Sequence, residues 1–203
     1  MRKQLHVISD GKLSLKAFAE IAGEVEAFAD KFHLREKHRT SREIYQGVEL
    51  LLKEGIPLQK IVVNDRVDVA WACKTGVQLA FHSLPVQVVK EHFPSLPLGC
   101  SVHSPEEAQA AAKQGADYLL FGHLFNTHLK DGIPPKGTEA LRDVKKGLAI
   151  PVIAIGGIKP ENVQQVLEAG ADGIAVMSGV LQAADPREAA KIFFKKLHGR
   201  HKE

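Results

Sequence analysis

Short apolar runs alternate along this chain with longer stretches whose apolar positions recur every three or four residues. The short runs have the length and β-branched content of buried strands, and the longer ones have the spacing of helices that cover one face. Gln4 to Ser9 predicts a first strand, and Leu15, Phe18, Ala19, Ala22 and Val25 predict a helix over Leu13 to Ala27. Ala27 to Leu34 leads to a second strand exit, at the charged cluster His33 to Lys37, and Ile44, Val48, Leu51 and Leu52 stripe a helix that starts near Ser41. Further strands are predicted at Lys60–Val63, Val77–Phe81, Leu98–Val102, Asp117–Phe121, Pro151–Ile155 and Gly173–Met177. Between and after them, helices are predicted over Val67–Lys74, Pro85–Phe93, Glu106–Gln114 (capped by Ser104 with Pro105 at N1), Thr138–Lys146, Glu161–Ala169 and Pro186–Leu197. Eight strands alternating with eight helices, at a mean spacing of about 25 residues, predict a closed (β/α)8 TIM barrel forming one domain over residues 1–203. An open doubly wound sheet shares the alternation but usually has fewer strands at this length.

Composition narrows the ligand more than the fold. The 203 residues are 44% hydrophobic, enough for one sizeable core, and the formal charge is +3. The clearest basic run, Lys195 to Lys202, lies at the C-terminus without a reading element, so a small anion is expected rather than nucleic acid. No apolar run predicts a signal peptide or a membrane span, and the expected location is cytoplasmic. Cys73 and Cys100 lack CxxC spacing and are expected as reduced, buried thiols. Pattern and composition leave homo-oligomerisation open.

Polar residues gather at the strand exits, where a barrel binds its ligands. Ile155-Gly156-Gly157-Ile158 and Met177-Ser178-Gly179 follow the last two strands, the usual place for phosphate on backbone N–H groups; the alternative is a tight turn before the Pro160 helix. Arg35 and Lys37, two apart, point the same way if the backbone is extended, toward carboxylate or phosphate, unless the loop is merely solvated. Asn64 and Asp65 can meet a polar ring or a metal, or Asp65 can cap the next helix. His123 follows Gly122 and precedes Thr127 and Lys130, which suits a proton-transfer group beside an anion; a structural histidine is the alternative. His82, His103 and His123 follow three successive strands but without HxH or HExxH spacing, so no metal site is expected there.

With these residues assembled, the chain resembles the thiamin phosphate synthase superfamily from end to end. The matching segments are HLREK at 33–37, NDRVDVA at 64–70, GVQL at 76–79, GCSVHSPEEA at 99–108, GADYLLFGHLFNTHLK at 115–130, IPVIAIGGI at 150–158 and GADGIAVMSG at 170–179. Within that superfamily the chain resembles most the TenI branch, the thiazole tautomerases. A synthase joins a pyrimidine pyrophosphate to a thiazole phosphate and needs Mg²⁺ held by carboxylates. Asp65 keeps the first such position, whereas the second falls in Phe81-His82-Ser83, without an acid. The glutamine that usually opens the LREK motif is His33, the second hydroxyl of the Thr-x-Thr-Lys loop is Leu129, and the proline that follows FG in synthases is His123.

The TenI resemblance implies an isomerase that needs neither metal nor cofactor. It would convert 2-carboxy-4-methyl-5-ylidene-thiazoline ethyl phosphate to the aromatic carboxythiazole phosphate, with His123 taking and returning the proton. Phosphate is then expected on Gly156, Gly157, Ser178 and Gly179, and the ring and carboxylate on Arg35, Lys37, Thr127 and Lys130. Asn64 and Ser101 complete the expected substrate-binding set. Two competitors remain: a Mg²⁺-dependent thiamin phosphate synthase, and a non-catalytic sensor of a thiamin intermediate.

Overall fold

The structure, a computed structural model, describes residues 2–127 and 132–199. Its strands are β1 (Gln4–Ile8), β2 (Lys31–Leu34), β3 (Ile61–Asn64), β4 (Gly76–Leu79), β5 (Leu98–Val102), β6 (Tyr118–Gly122), β7 (Val152–Ile155) and β8 (Gly173–Val176). The helices between them are α1 (Leu15–Val25), α2 (Ser41–Lys53), α3 (Val67–Cys73), α4 (Val86–His92), α5 (Pro105–Lys113), α6 (Gly137–Lys145) and α7 (Val163–Glu168). After β8 come a single turn, α8 (Ser178–Leu181), and the long α9 (Pro186–His198). Every strand pairs in parallel with the next, and β8 closes on β1 with Gln4 opposite Gly173 and His6 opposite Ala175. The fold is a (β/α)8 barrel, as the alternation predicts. Two elements were not legible: the 3₁₀ turn Leu58–Lys60 and α8. β4 ends at Leu79, short of the expected Phe81, because the chain turns there and leaves Phe81 91% exposed.

Parallel strands buried on both faces form two separate apolar bodies. Leu5, Val7, Phe32, Leu34, Val63, Leu119, Phe121, Ala154 and Ile174 pack against the helices in the main core. Ile8, Leu120, Ile153 and Ala175 form a second, smaller cluster inside the barrel. On the β1 to β5 side the buried interior is polar instead, holding His6, His33 and Gln78.

The amino ends of the strands share one device. Asp30, Asp117 and Asp172 precede β2, β6 and β8, and accept from N–H groups near the starts of the neighbouring strands: Leu5 at 2.9 Å, Leu98 at 2.7 Å and Val152 at 2.9 Å. Lys90 reaches Asp117 at 2.9 Å and Lys145 reaches Asp172 at 2.6 Å, so both Gly-Ala-Asp triplets of the sequence serve strand register at the face opposite the site. Among the described residues, no helix is long and apolar enough to cross a membrane. Cys73 and Cys100 are free thiols but only half-buried; burial still pushes Cys100 up to about 11.

Candidate active site

The carboxyl ends of the strands carry the residues that the sequence singles out. Arg35 leaves β2 half-buried, with its N–H held by Ser9 Oγ at 2.8 Å. Among the described residues its guanidinium has no ion-pair partner; burial lowers its proton affinity and the nearby Glu36 charge offsets this only in part, so a further negative charge beside it would be stabilising. Lys37 does not share this environment: the chain turns at Lys37–His38, the extended backbone assumed from sequence ends at Leu34, and Lys37 is exposed. Glu36 is buried and is held by Arg39 at 3.0 Å.

At the exit of β3, Asn64 is half-buried and Asp65 takes a left-handed backbone, φ 66°. That conformation, with the Asp65 N–H donating to the Gln78 carbonyl at 2.9 Å, turns its half-exposed carboxylate toward β4, where His82 Nε2 lies 4.0 Å away. Asp65 does not cap α3, which has no side-chain cap. Ser101, on β5, accepts from Gln78 Nε2 at 3.1 Å.

His123 is placed differently from the sequence expectation. It follows a cis peptide after Gly122, is 6% exposed, and its Nε2–H donates to the Ile133 carbonyl at 3.2 Å. The ring is therefore tied to the main chain of its own loop. His103 Nδ1–H donates to the Gly122 carbonyl at 2.8 Å, fixing β5 to the end of β6.

The glycines after β7 also have a role in packing. A Cβ on Gly156 would stand 2.3 Å from His123 Cβ, and one on Gly157 would stand 2.6 Å from the Asn126 carbonyl oxygen. Leu124 and Phe125 donate to the carbonyls of Ile155 and Gly156 at 2.9 and 3.0 Å, so the β6 loop lies directly on this turn. Gly179 faces the Phe193 ring of α9 in the same way, with Ser178 beside it at the start of α8. Thr127 is half-buried at the edge of the described loop; Lys130 lies outside the described residues.

Sequence reasoning passed over the polar half of the barrel interior. His6 Nδ1 and His33 Nε2 are 3.0 Å apart, and His6 Nε2 lies 2.9 Å from Gln4 Oε1. The Tyr118 ring stands edge-on to His6, centroids 5.5 Å apart. The signal was present as polar residues at every second position, Gln4 and His6 in β1 and Gln78 in β4, but period-two polarity inside apolar runs reads as noise until strand facing is known.

Burial pushes the His33 ring down to about 3 from 6.5, with Asn64 opposing and the Lys31 charge adding to the fall, and burial lowers His6 as well, with the charges of His33 and Lys31 adding to it. The unfolded chain takes up protons near 6.5 while the folded rings do not. Stability therefore falls as pH drops through the unfolded value and stops falling near the folded one. Moving from pH 7 to pH 5 is expected to remove about 2 kcal/mol through His33 alone, read as a lower urea midpoint at constant m. His33→Gln should flatten that slope.

A family model described as thiamine monophosphate synthase matches residues 5–180. The chain is 42% identical over 192 residues to a thiamine-phosphate synthase of Pyrococcus abyssi, covering 93% of this chain and 91% of that protein. It is 40% identical over 204 residues to one from Chlorobium phaeovibrioides, covering 97% and 95%. A solved thiamine phosphate pyrophosphorylase from Pyrococcus furiosus superposes with a TM-score of 0.81 at 38% identity, covering 96% of this chain and 95% of that one. A 3-hexulose-6-phosphate synthase, at 20% identity and TM-score 0.73, shares the fold alone.

These relatives correct the TenI-type reading, and with it the expected isomerase and thiazole tautomerase. That reading weighted a few departures, His123 above all, against agreement that extends over the whole barrel, and His123 proves to be a buried ring bonded to its own loop. The match over most of its length and the identities to synthases establish that the chain belongs to the thiamine monophosphate synthase family.

Proposed function

We propose that this protein is a thiamine-phosphate synthase, joining a pyrimidine pyrophosphate to a thiazole phosphate with release of inorganic pyrophosphate, in the cytoplasm. The activity named for its relatives supports this reading, and the observation that carries it locally is Arg35, a half-buried cation at the mouth that forms no ion pair among the described residues, its neighbour Glu36 being held by Arg39 instead. Such a group is held ready for an anion, and its charge is worth more there than in bulk water.

The family reaction implies Mg²⁺, and the donor set fits a sparse site. Asp65 offers a half-exposed carboxylate, and Mg²⁺ commonly takes one or two carboxylates and fills its remaining positions with substrate phosphates and water. His82, a nitrogen donor, suits it less well. When bound, the ion would neutralise charge on the departing pyrophosphate. Asp65 would hold it, and Arg35 would bind the pyrophosphate from the β2 side with Lys37 and Lys130 adding charge. Asn64, Ser101 and Thr127 would orient the ring edges. The thiazole phosphate would lie on Ser178 and Gly179 and on the turn Gly156–Gly157, whose positive φ values of 99° and 66° orient peptide groups as only glycine does cheaply.

The test is incubation of the purified protein with both substrates and Mg²⁺, measuring thiamine phosphate and pyrophosphate together. Equal amounts of the two products, abolished by a chelator, are expected. Absence of pyrophosphate release over the enzyme-free control would overturn the assignment and leave a phosphate-binding sensor.

A further inference from the structure

Asp65 and His82 leave adjacent strands, β3 and β4, and meet at the mouth, with Asp65 Oδ2 4.0 Å from His82 Nε2 and both side chains half-exposed. Each loop is held at its base. The Asp65 N–H donates to the Gln78 carbonyl at 2.9 Å, which ties the β3 exit to β4. The turn after Leu79 is closed twice: the Ser83 N–H donates to the Ala80 carbonyl, and the Ala80 N–H donates to Ser83 Oγ, each at 2.9 Å. That closure uses the Ser83 oxygen within the turn. The Phe81 ring, almost wholly in solvent, stands edge-on to His82 with centroids 5.0 Å apart. His82 is therefore the residue of this turn that brings a metal-binding atom to Asp65.

Two ligands held by one octahedral ion at about 2.1 Å stand about 3.0 Å apart when adjacent and about 4.2 Å apart when opposed. The observed separation of 4.0 Å lies inside that span, and half-exposed side chains have room to adjust to either arrangement. Asp68, the other carboxylate of the β3 exit, is paired with Arg66, and among the described residues neither Asp65 nor His82 forms a second ion pair. The nitrogen decides which ion is favoured. Mg²⁺ is a hard cation that keeps oxygen ligands and water, whereas first-row transition ions accept imidazole, Mn²⁺ being the weakest binder of the series.

We propose that Asp65 and His82 form a mixed oxygen–nitrogen site that takes a first-row transition-metal dication in preference to Mg²⁺, its remaining positions filled by phosphate oxygens and water. Asp65 supplies the charge, and His82 Nε2 selects the ion. Mg²⁺ can still be held through Asp65 and phosphate, without the nitrogen. This rests on the synthase reading only for the pyrophosphate that completes the site; the donor pair is independent of it.

The deciding measurement is pulsed electron paramagnetic resonance of Mn²⁺ with inorganic pyrophosphate and an excess of the full chain, in which a coordinated imidazole nitrogen modulates the spin echo. A directly bound nitrogen is expected in the wild type and is expected to vanish in His82→Gln, with Mn²⁺ affinity lowered at least about tenfold, the low end of what even indirect changes at metal sites cost. His103→Gln, altered at a ring already bonded to the Gly122 carbonyl, is expected to keep the signal. His82→Asp exchanges the nitrogen for a second carboxylate, so the ratio of Mn²⁺ to Mg²⁺ affinity, read by displacing Mn²⁺ with Mg²⁺, is expected to fall about tenfold. Absence of nitrogen modulation in the wild type would overturn the site and leave Asp65 and His82 a surface ion pair. A signal that survives His82→Gln, or a ratio unmoved by His82→Asp, would overturn it as well. None of these readouts uses turnover, so an inactive wild type would sink the synthase reading and leave the metal site standing.

Discussion

Asp65→Asn is expected to lower thiamine phosphate formation by about 10²–10³-fold and to raise the Mg²⁺ concentration needed for half-maximal rate. Asparagine is the substitution that isolates charge. It tolerates the left-handed backbone that Asp65 occupies, φ 66°, and leaves the N–H bond to the Gln78 carbonyl intact, so the turn between β3 and α3 should survive. What disappears is the anionic oxygen. Among the described residues no group of three His, Cys, Asp or Glu side chains could hold a metal, so no nearby set takes over, and His82 at 4.0 Å is a nitrogen donor. Turnover within about twofold of wild type would remove Asp65 from metal binding. Circular dichroism unchanged from wild type would confirm that the loss is chemical.

Gly156→Ala is expected to cost about 4 kcal/mol of stability, combining strain at a positive φ with overpacking. The added Cβ would fall 2.3 Å from His123 Cβ and 2.7 Å from His123 Cα, at φ 99°. Neither obstacle can swing aside as a flexible side-chain tip would, because the β6 loop is bonded to this turn at Leu124 and Phe125. In a chain of this size the shift in Tm should be about 8–16 °C. A contrasting substitution, Gly55→Ala, meets no atom within 4 Å and suffers only its backbone strain at φ 82°. Equal losses in the two variants would show that crowding at Gly156 is absent.

Much of the site was visible before folding because barrels place binding residues at the carboxyl ends of strands, and Arg35, Asn64, Asp65, Ser101, Gly156 and Ser178 all lie at or just after such an end. The reading failed where local spacing stood in for geometry. Arg35 and Lys37 face one way only in extended backbone, and the chain turns at Lys37. His123 looked like a free base because nothing in its own segment announces Ile133 or Gly156, the groups that enclose it. The tautomerase reading failed with it, since a single ring in an unseen environment was weighed against similarity along the entire chain.

The sequence by itself determined the barrel. Eight apolar runs and the helical stripes between them are local patterns, each tied to burial of one segment, and their order leaves few ways to close a parallel sheet. Only the tertiary structure decided which face of each strand turns inward. It set His6 against His33, left Asn64 at the rim, held Arg35 half-buried without an ion pair among the described residues and shut His123 against its own loop. Those outcomes depend on register between strands far apart in the chain, where a shift of one residue would exchange the polar interior for the apolar exterior.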